Sequence, residues 1–198
     1  MSYSGGDNGG ERRQVTHGGS YPAGGYGADD DDFSGAAEHA TRGAGESTDP
    51  SLFSTLLGAL KQKRQSLADQ EVDEDDAVKQ HKKHYKGDDD GCGADEANDQ
   101  SLGAAAAMQA LKMFTGGASD NSQQGNSQSA FIGTAMAEAS KLFDQKASQG
   151  KVSGDASKES TIMQAGELAL KMYMKSKGGD AGGSSGGSGL LSLASKFM

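Results

Sequence analysis

Apolar positions recur at helical spacing in several places along the chain. Leu52, Phe53, Leu56, Leu57 and Leu60 follow Asp49-Pro50, an acidic N-cap with proline in the first turn, and predict a helix running to about Ala68. The run 73–86, DEDDAVKQHKKHYK, predicts a second helix. It carries acids in its first turn and bases in its last, as the helix dipole favours. Its apolar content is thin, so it needs a neighbour to be stable. The remaining apolar stretches are related to one another. Phe131 to Phe143 aligns with Thr161 to Tyr173 at a shift of 30: Ile132 with Ile162, Ala135 with Ala165, Ala139 with Ala169, Lys141 with Lys171. At a shift of 29 the other way, Ala106, Ala110, Lys112, Met113 and Phe114 fall on the same template. Ala194-Ser195-Lys196-Phe197-Met198 reads as a truncated fourth copy.

Each copy closes on Lys followed by two bulky apolar residues, and positions 132, 135, 139, 142 and 143 share one helical face. Small residues in mid-helix permit close helix approach. The pattern predicts an all-α, Ala-rich bundle of about five to six helices, with the bulky residues gathered as plugs at one end. Each repeat holds one helix and a long Gly/Ser/Asn loop (115–128, 146–156, 176–189), which does not suit a solenoid. The expected organisation is a disordered Gly/Tyr/Asp-rich tail over 1–48, a two-helix segment with an acidic hinge over 49–96, and the repeated-helix bundle over 97–198.

Composition narrows the possibilities. Leu, Ile, Val and Phe make up 25 of 198 residues and Gly 31, with a net charge of -9. Such a chain has a small core and long polar tracts. β-Branched residues are too scarce for a β-barrel or a doubly wound α/β enzyme. Residues 69–99 alone carry a net charge of -8, which argues against nucleic acid as a partner. The basic cluster Lys61-Gln62-Lys63-Arg64 reads as a solvated helix face or a short nuclear-import signal. One cysteine excludes a disulfide framework. MSYSGGDNGG lacks the apolar core of a secretory signal, and no apolar run approaches the ~20 residues that span a bilayer. The expected setting is the cytoplasm or the nucleus.

Several of these segments, FSGAAEHATRGAG, EVDEDDAVKQHKKHY, SLGAAAAMQALKMFTGG, SQSAFIGTAMAEASKLFDQ and the closing LLSLASKFM, resemble a family of small filamentous-fungal proteins labelled "beta-flanking protein", a domain of unknown function. The resemblance spans about residues 33–198. It implies a fungal intracellular protein with a helical domain, and brings no activity, cofactor or catalytic residue with it.

Candidate chemistry is sparse. His81 and His84, with Asp88, Asp90 and Cys92 close behind, are metal-ligating types at short spacing. Counted from Asp88, the run to Asp99 approaches a calcium-loop pattern, but Cys92 at position five and Asp99 at position twelve both depart from it. Neither reading outweighs an acidic hinge. Carboxylates around Cys92 raise a thiol pKa and so do not activate it. Phosphate-cradling loops and paired catalytic carboxylates are absent from the sequence pattern, and no cofactor is expected. Seven of eight methionines fall after residue 100. They read as gap-fillers of an Ala-rich core, or as an adaptable partner-binding face of Met136, Met172 and Met174. The expected role is a non-catalytic interaction module with an unidentified protein partner, with self-association open. The alternative is a hydrophilic stress-protective protein that folds on dehydration or client contact. Metal binding through 81–99 is a distant third. The closing apolar segment is too short to anchor stably in a membrane and is expected to dock back on the bundle.

Overall fold

The computed structural model describes residues 33, 35–45, 48–85, 97–115 and 127–178. Six α-helices lie among them: α1 (Ala36–Ala44), α2 (Pro50–Ala68), α3 (Glu74–Tyr85), α4 (Asp99–Thr115), α5 (Gln128–Ser148) and α6 (Lys158–Gly178). The all-α bundle predicted from periodicity is the fold of these residues. α2 starts where its capping residues place it, with the Asp49 carboxylate accepting from the Ser51 backbone N–H at 2.8 Å and Pro50 in the first turn. That hydrogen bond holds the Asp49 carboxyl below the usual aspartate range.

The three related helices form an inner layer. α4, α5 and α6 each pack against the other two, and their shared alanines (Ala106, Ala110, Ala135, Ala139, Ala165 and Ala169) are fully buried. The three preceding helices sheathe this layer, α1 lying on α5, α2 on α6 and α3 on α4. Directions follow from the contacts. Asp144 meets Lys158 while Met136 lies closest to Gly166, so α5 and α6 are antiparallel. Gly103 abuts Thr161 and Gln164 while Asp99 meets Ser160, so α4 and α6 run parallel and in step. α1 also runs parallel to its partner: Gly35 faces Ser129, Ala36 and Ala40 flank Gly133, Gly43 faces Ala137, and the Thr48 hydroxyl pairs with Ser140 at 2.5 Å.

Four expectations are corrected here. Residues 36–44 lie inside the span expected to be a disordered tail. They form a helix because Ala36, Ala40 and Ala44 recur at a spacing of four and are buried against the small-residue face of α5. Secondly, 49–96 does not stand apart from 97–198, since one apolar cluster runs from Phe33 through Phe53, Leu60 and Val78 to Leu170 and Met172. Thirdly, the bulky closing residues do not collect at one end. α5 opposes α4 and α6, so Phe114 packs near the start of α5 against Phe131, the rings tilted by 45° (5.3 Å between centroids). Phe143 lies at the other end, against a small cluster of Ala97, Leu102, Ala105 and Leu142, joined there by Tyr85 and Val152. Fourthly, the loop expected over 146–156 is an ordered connection. α5 continues to Ser148, Gly150 takes a left-handed φ of 66°, and a backbone bridge follows, with Ala97 N–H donating to Lys151 O and Ser153 N–H to Ala97 O. A glycine suits that helix exit because it carries no Cβ penalty there.

The tail 1–32, the acidic stretch 86–96, the loop 116–126 and the closing segment 179–198 lie outside the described residues.

Candidate functional site

The chemistry-bearing side chains that the structure does describe gather on the inward side of α3 and the start of α4. His81 is buried. Its Nε2–H donates to the Gln109 amide oxygen at 2.8 Å, and its ring stacks on Tyr85 with centroids 5.1 Å apart. His84, one turn on, is half-buried with Nε2 3.3 Å from the Ser101 hydroxyl. The Tyr85 hydroxyl meets the Glu138 carboxylate of α5. These three residues therefore join α3 to α4 and α5 through polar contacts that a thin apolar stripe cannot supply.

Protonation follows from those surroundings. Burial, then the charges of Lys146 and Lys83, lower His84 from its ordinary 6.5 to about 4. Burial first, then the Glu138 charge and hydrogen bond, push the Tyr85 phenol far up, so it stays protonated and donating. Because His84 is neutral in the folded chain and titrates near 6.5 when unfolded, its contribution is fully present above pH 6.5. It is lost as pH falls toward 4, where the unfolded chain binds the extra proton. After allowance for partial exposure this amounts to about 1–2 kcal/mol. In urea melts, the native chain should lose more stability between pH 7 and pH 4.5 than His84→Gln does. Equal losses would remove His84 from the pH response.

The candidate metal residues are not brought together as a set. His81 and His84 point to different partners, Gln109 and Ser101. Asp88, Asp90 and Cys92 lie outside the described residues. Asp99, the last position of the calcium-loop reading, caps into α4 through the Gln100 N–H and bonds Ser160 at the start of α6. Among the described residues no group of three or more His, Cys, Asp or Glu side chains has the spacing to hold a metal ion.

The methionine face is corrected. Met136 and Met172 are fully buried, Met136 lying against Gly166 between α5 and α6, so neither presents to a partner. Flexible thioethers there fill the gaps an alanine-rich core leaves. Met174 is partly exposed on α6 beside Tyr173. Sequence reasoning missed the glycines that set helix spacing. A Cβ on Gly133 would lie 2.5 Å from Ala36 O and 2.6 Å from His39 Cβ, and one on Gly103 would lie 2.6 Å from Gln164 Cβ and 3.0 Å from Ala165 N. The signal was present as small residues four apart (Gly133 and Ala137, Gly103 and Ala107), without a hint of which helix would face them.

These features define an all-helical bundle whose polar side chains, at the only cluster of histidines described, serve helix–helix packing. Residues 32–119 match the model of a domain of unknown function, DUF7721. No curated protein and no solved structure matches the chain. The matched span holds α1 to α4, that is, the three outer helices and one inner helix. No helix among the described residues is long and apolar enough to cross a membrane.

Proposed function

We propose that this chain is a non-catalytic helical interaction module that holds a protein partner in the cytoplasm or nucleus. The observation that carries this reading is how the reactive side chains are used. His81, His84 and Tyr85 bind Gln109, Ser101 and Glu138 within the bundle, whereas Met113, Phe114, Tyr173 and Met174 leave apolar surface part-exposed where α4 and α6 end. Apolar, methionine-bearing surface suits adaptable contact with a partner. A core continuous through all six helices favours this over a protective protein that folds only on drying or client contact. The order of the segments supports placing the chain with the fungal proteins labelled "beta-flanking".

Met174→Lys is the direct test. It puts a charge on the part-exposed end of α6 while leaving Met136 and Met172 in the core. Affinity capture with the full chain should give a saturable partner whose binding weakens at least tenfold in Met174→Lys, at a temperature where the variant is still fully folded by circular dichroism. Capture that is insensitive to Met174→Lys but lost when the fold melts would remove this face from the role.

A further inference from the structure

α3 is held by little apolar packing. It lies chiefly on α4 and buries Ala77, Val78 and His81. Among the described residues, none of the largest fully buried side chains belongs to it. Its other ties are polar. In the first turn the Glu74 carboxylate accepts from Lys175 Nζ at 2.8 Å, and at the last residue the Tyr85 hydroxyl meets Glu138. Between them His81 donates to Gln109 and His84 lies against Ser101. Residues 69–73 lead into the helix and are exposed except for half-buried Val72, a connection able to serve as a hinge.

Beneath α3, Tyr85 rests on the cluster of Ala97, Leu102, Ala105 and Leu142. Lifting the helix would bare this strip and break few apolar contacts. The mutual packing of α4, α5 and α6, where most of the large buried side chains sit, would stay intact. Segments joined to a fold in this way open on their own, at a lower cost than the whole.

Charge makes that opening sensitive to protons. His84 has Ser101 of α4 and the Lys146 charge of α5 about it, with Lys83 beside it on α3. The carboxylates of the surrounding helices are engaged elsewhere: Asp99 of α4 by Ser160 and the Gln100 N–H, Glu138 of α5 by Tyr85 and Lys141. On α6, Lys175 is held by Glu74. Burial first, then the two lysines, hold the closed His84 down at about 4 against its ordinary 6.5. With α3 lifted, the imidazole returns to its ordinary value. As pH falls from 6.5 toward 4, the open form therefore binds a proton that the closed form lacks, and opening becomes easier.

We propose that α3 is a proton-released flap: His84 takes up a proton as the helix swings on 69–73, so mild acid uncovers Leu102, Ala105 and Leu142 while α4, α5 and α6 stay packed. The flap does not depend on the interaction reading, because it is measured with no partner present.

The test is amide hydrogen exchange on the full chain, each rate divided by that of the unfolded chain at the same pH. At pH 7, amides of 78–85 should be about a hundredfold less protected than those of 132–142 and nearly indifferent to low urea, as a small local opening requires. Between pH 7 and pH 5 their protection should fall about tenfold, after allowance for the partial exposure of His84. The core amides fall with them, because global unfolding also frees His84, and the steep urea dependence of the core separates the two openings. In His84→Gln the fall at 78–85 should shrink to about threefold or less. Equal protection and equal urea slopes at 78–85 and 132–142 overturn the proposal, since α3 would then open only with the whole chain. A local opening that does not change with pH overturns it too. Both of these are read on the native chain, whether or not the variant folds. An undiminished fall in a folded His84→Gln overturns the assignment to His84.

Discussion

Gly103→Val is expected to destabilise the whole bundle by about 3 kcal/mol or more, at the upper end of overpacking costs. The first added carbon alone meets Gln164 Cβ at 2.6 Å, Ala165 N at 3.0 Å and Thr161 O at 3.1 Å. Two of those three atoms are backbone, so the neighbour cannot give way by turning a side chain. α4 and α6 are both inner helices, each held by α5 and by an outer helix, and neither can move off without opening the core. For a domain of this size the corresponding fall in melting temperature is about 6–12 °C.

Gly133→Val makes a contrasting case. Its Cβ clash is entirely with α1, at Ala36 O, His39 Cβ and Ala40 N. α1 has nine residues and no side-chain N-cap, so it can lift away while the other five helices stay packed. Hydrogen exchange in Gly133→Val should show residues 36–44 losing protection and α4 to α6 keeping theirs, whereas in Gly103→Val protection should fall throughout. Gly58 supplies the control. Nothing lies within 4 Å of an added Cβ there, and the residue is exposed in mid-helix, so Gly58→Ala should stabilise by about 0.5–1 kcal/mol. Matching behaviour of Gly103→Val and Gly58→Ala would dismiss close approach as the reason for the glycine.

What the sequence made legible was what depends on neighbours along the chain. Asp49-Pro50 and the leucines after it mark α2 to the residue at its start, and the repeat marks which alanines face inward on α4, α5 and α6. Periodicity fixes the face of a helix but not its direction, which is why the bulky ends of the copies were expected together and are found at opposite ends. α1 was missed because its buried residues are all alanine, and composition among glycines outweighed a three-residue spacing signal. The methionine face failed for a related reason. Met172 sits on the repeat's own stripe and Met136 one turn beyond Ile132 of it, so partner binding and core filling predict the same pattern, and only the packing of α5 on α6 separates them. His81 and His84 read as ligand types because sequence spacing is silent on Gln109 and Ser101, which lie 28 and 17 residues away.

A fragment spanning 32–119, the part that matches DUF7721, is expected not to fold by itself. It retains α1 and α2 but lacks α5 and α6, the helices on which they lie. Seven of the twelve largest fully buried side chains (Phe131, Ile132, Met136, Leu142, Ile162, Leu170 and Met172) are also beyond it. At about 1.5–3 kcal/mol for each, their loss comes to roughly 10–20 kcal/mol, as large as the net stability of an ordinary domain. Alanines 106 and 110 would face water in place of α5 and α6, and α4, with seventeen residues, is marginal as an isolated helix. Circular dichroism of 32–119 should therefore show weak helix signal that fades without a cooperative transition, while residues 33–178 should melt as sharply as the full chain. Mixing 32–119 with a 127–178 fragment should restore the cooperative melt, since the two together hold all six helices. A cooperative transition in 32–119 alone, near the full-chain midpoint, would mean that α1 to α4 have a packing of their own. α5 and α6 would then be helices added to a domain rather than part of its core.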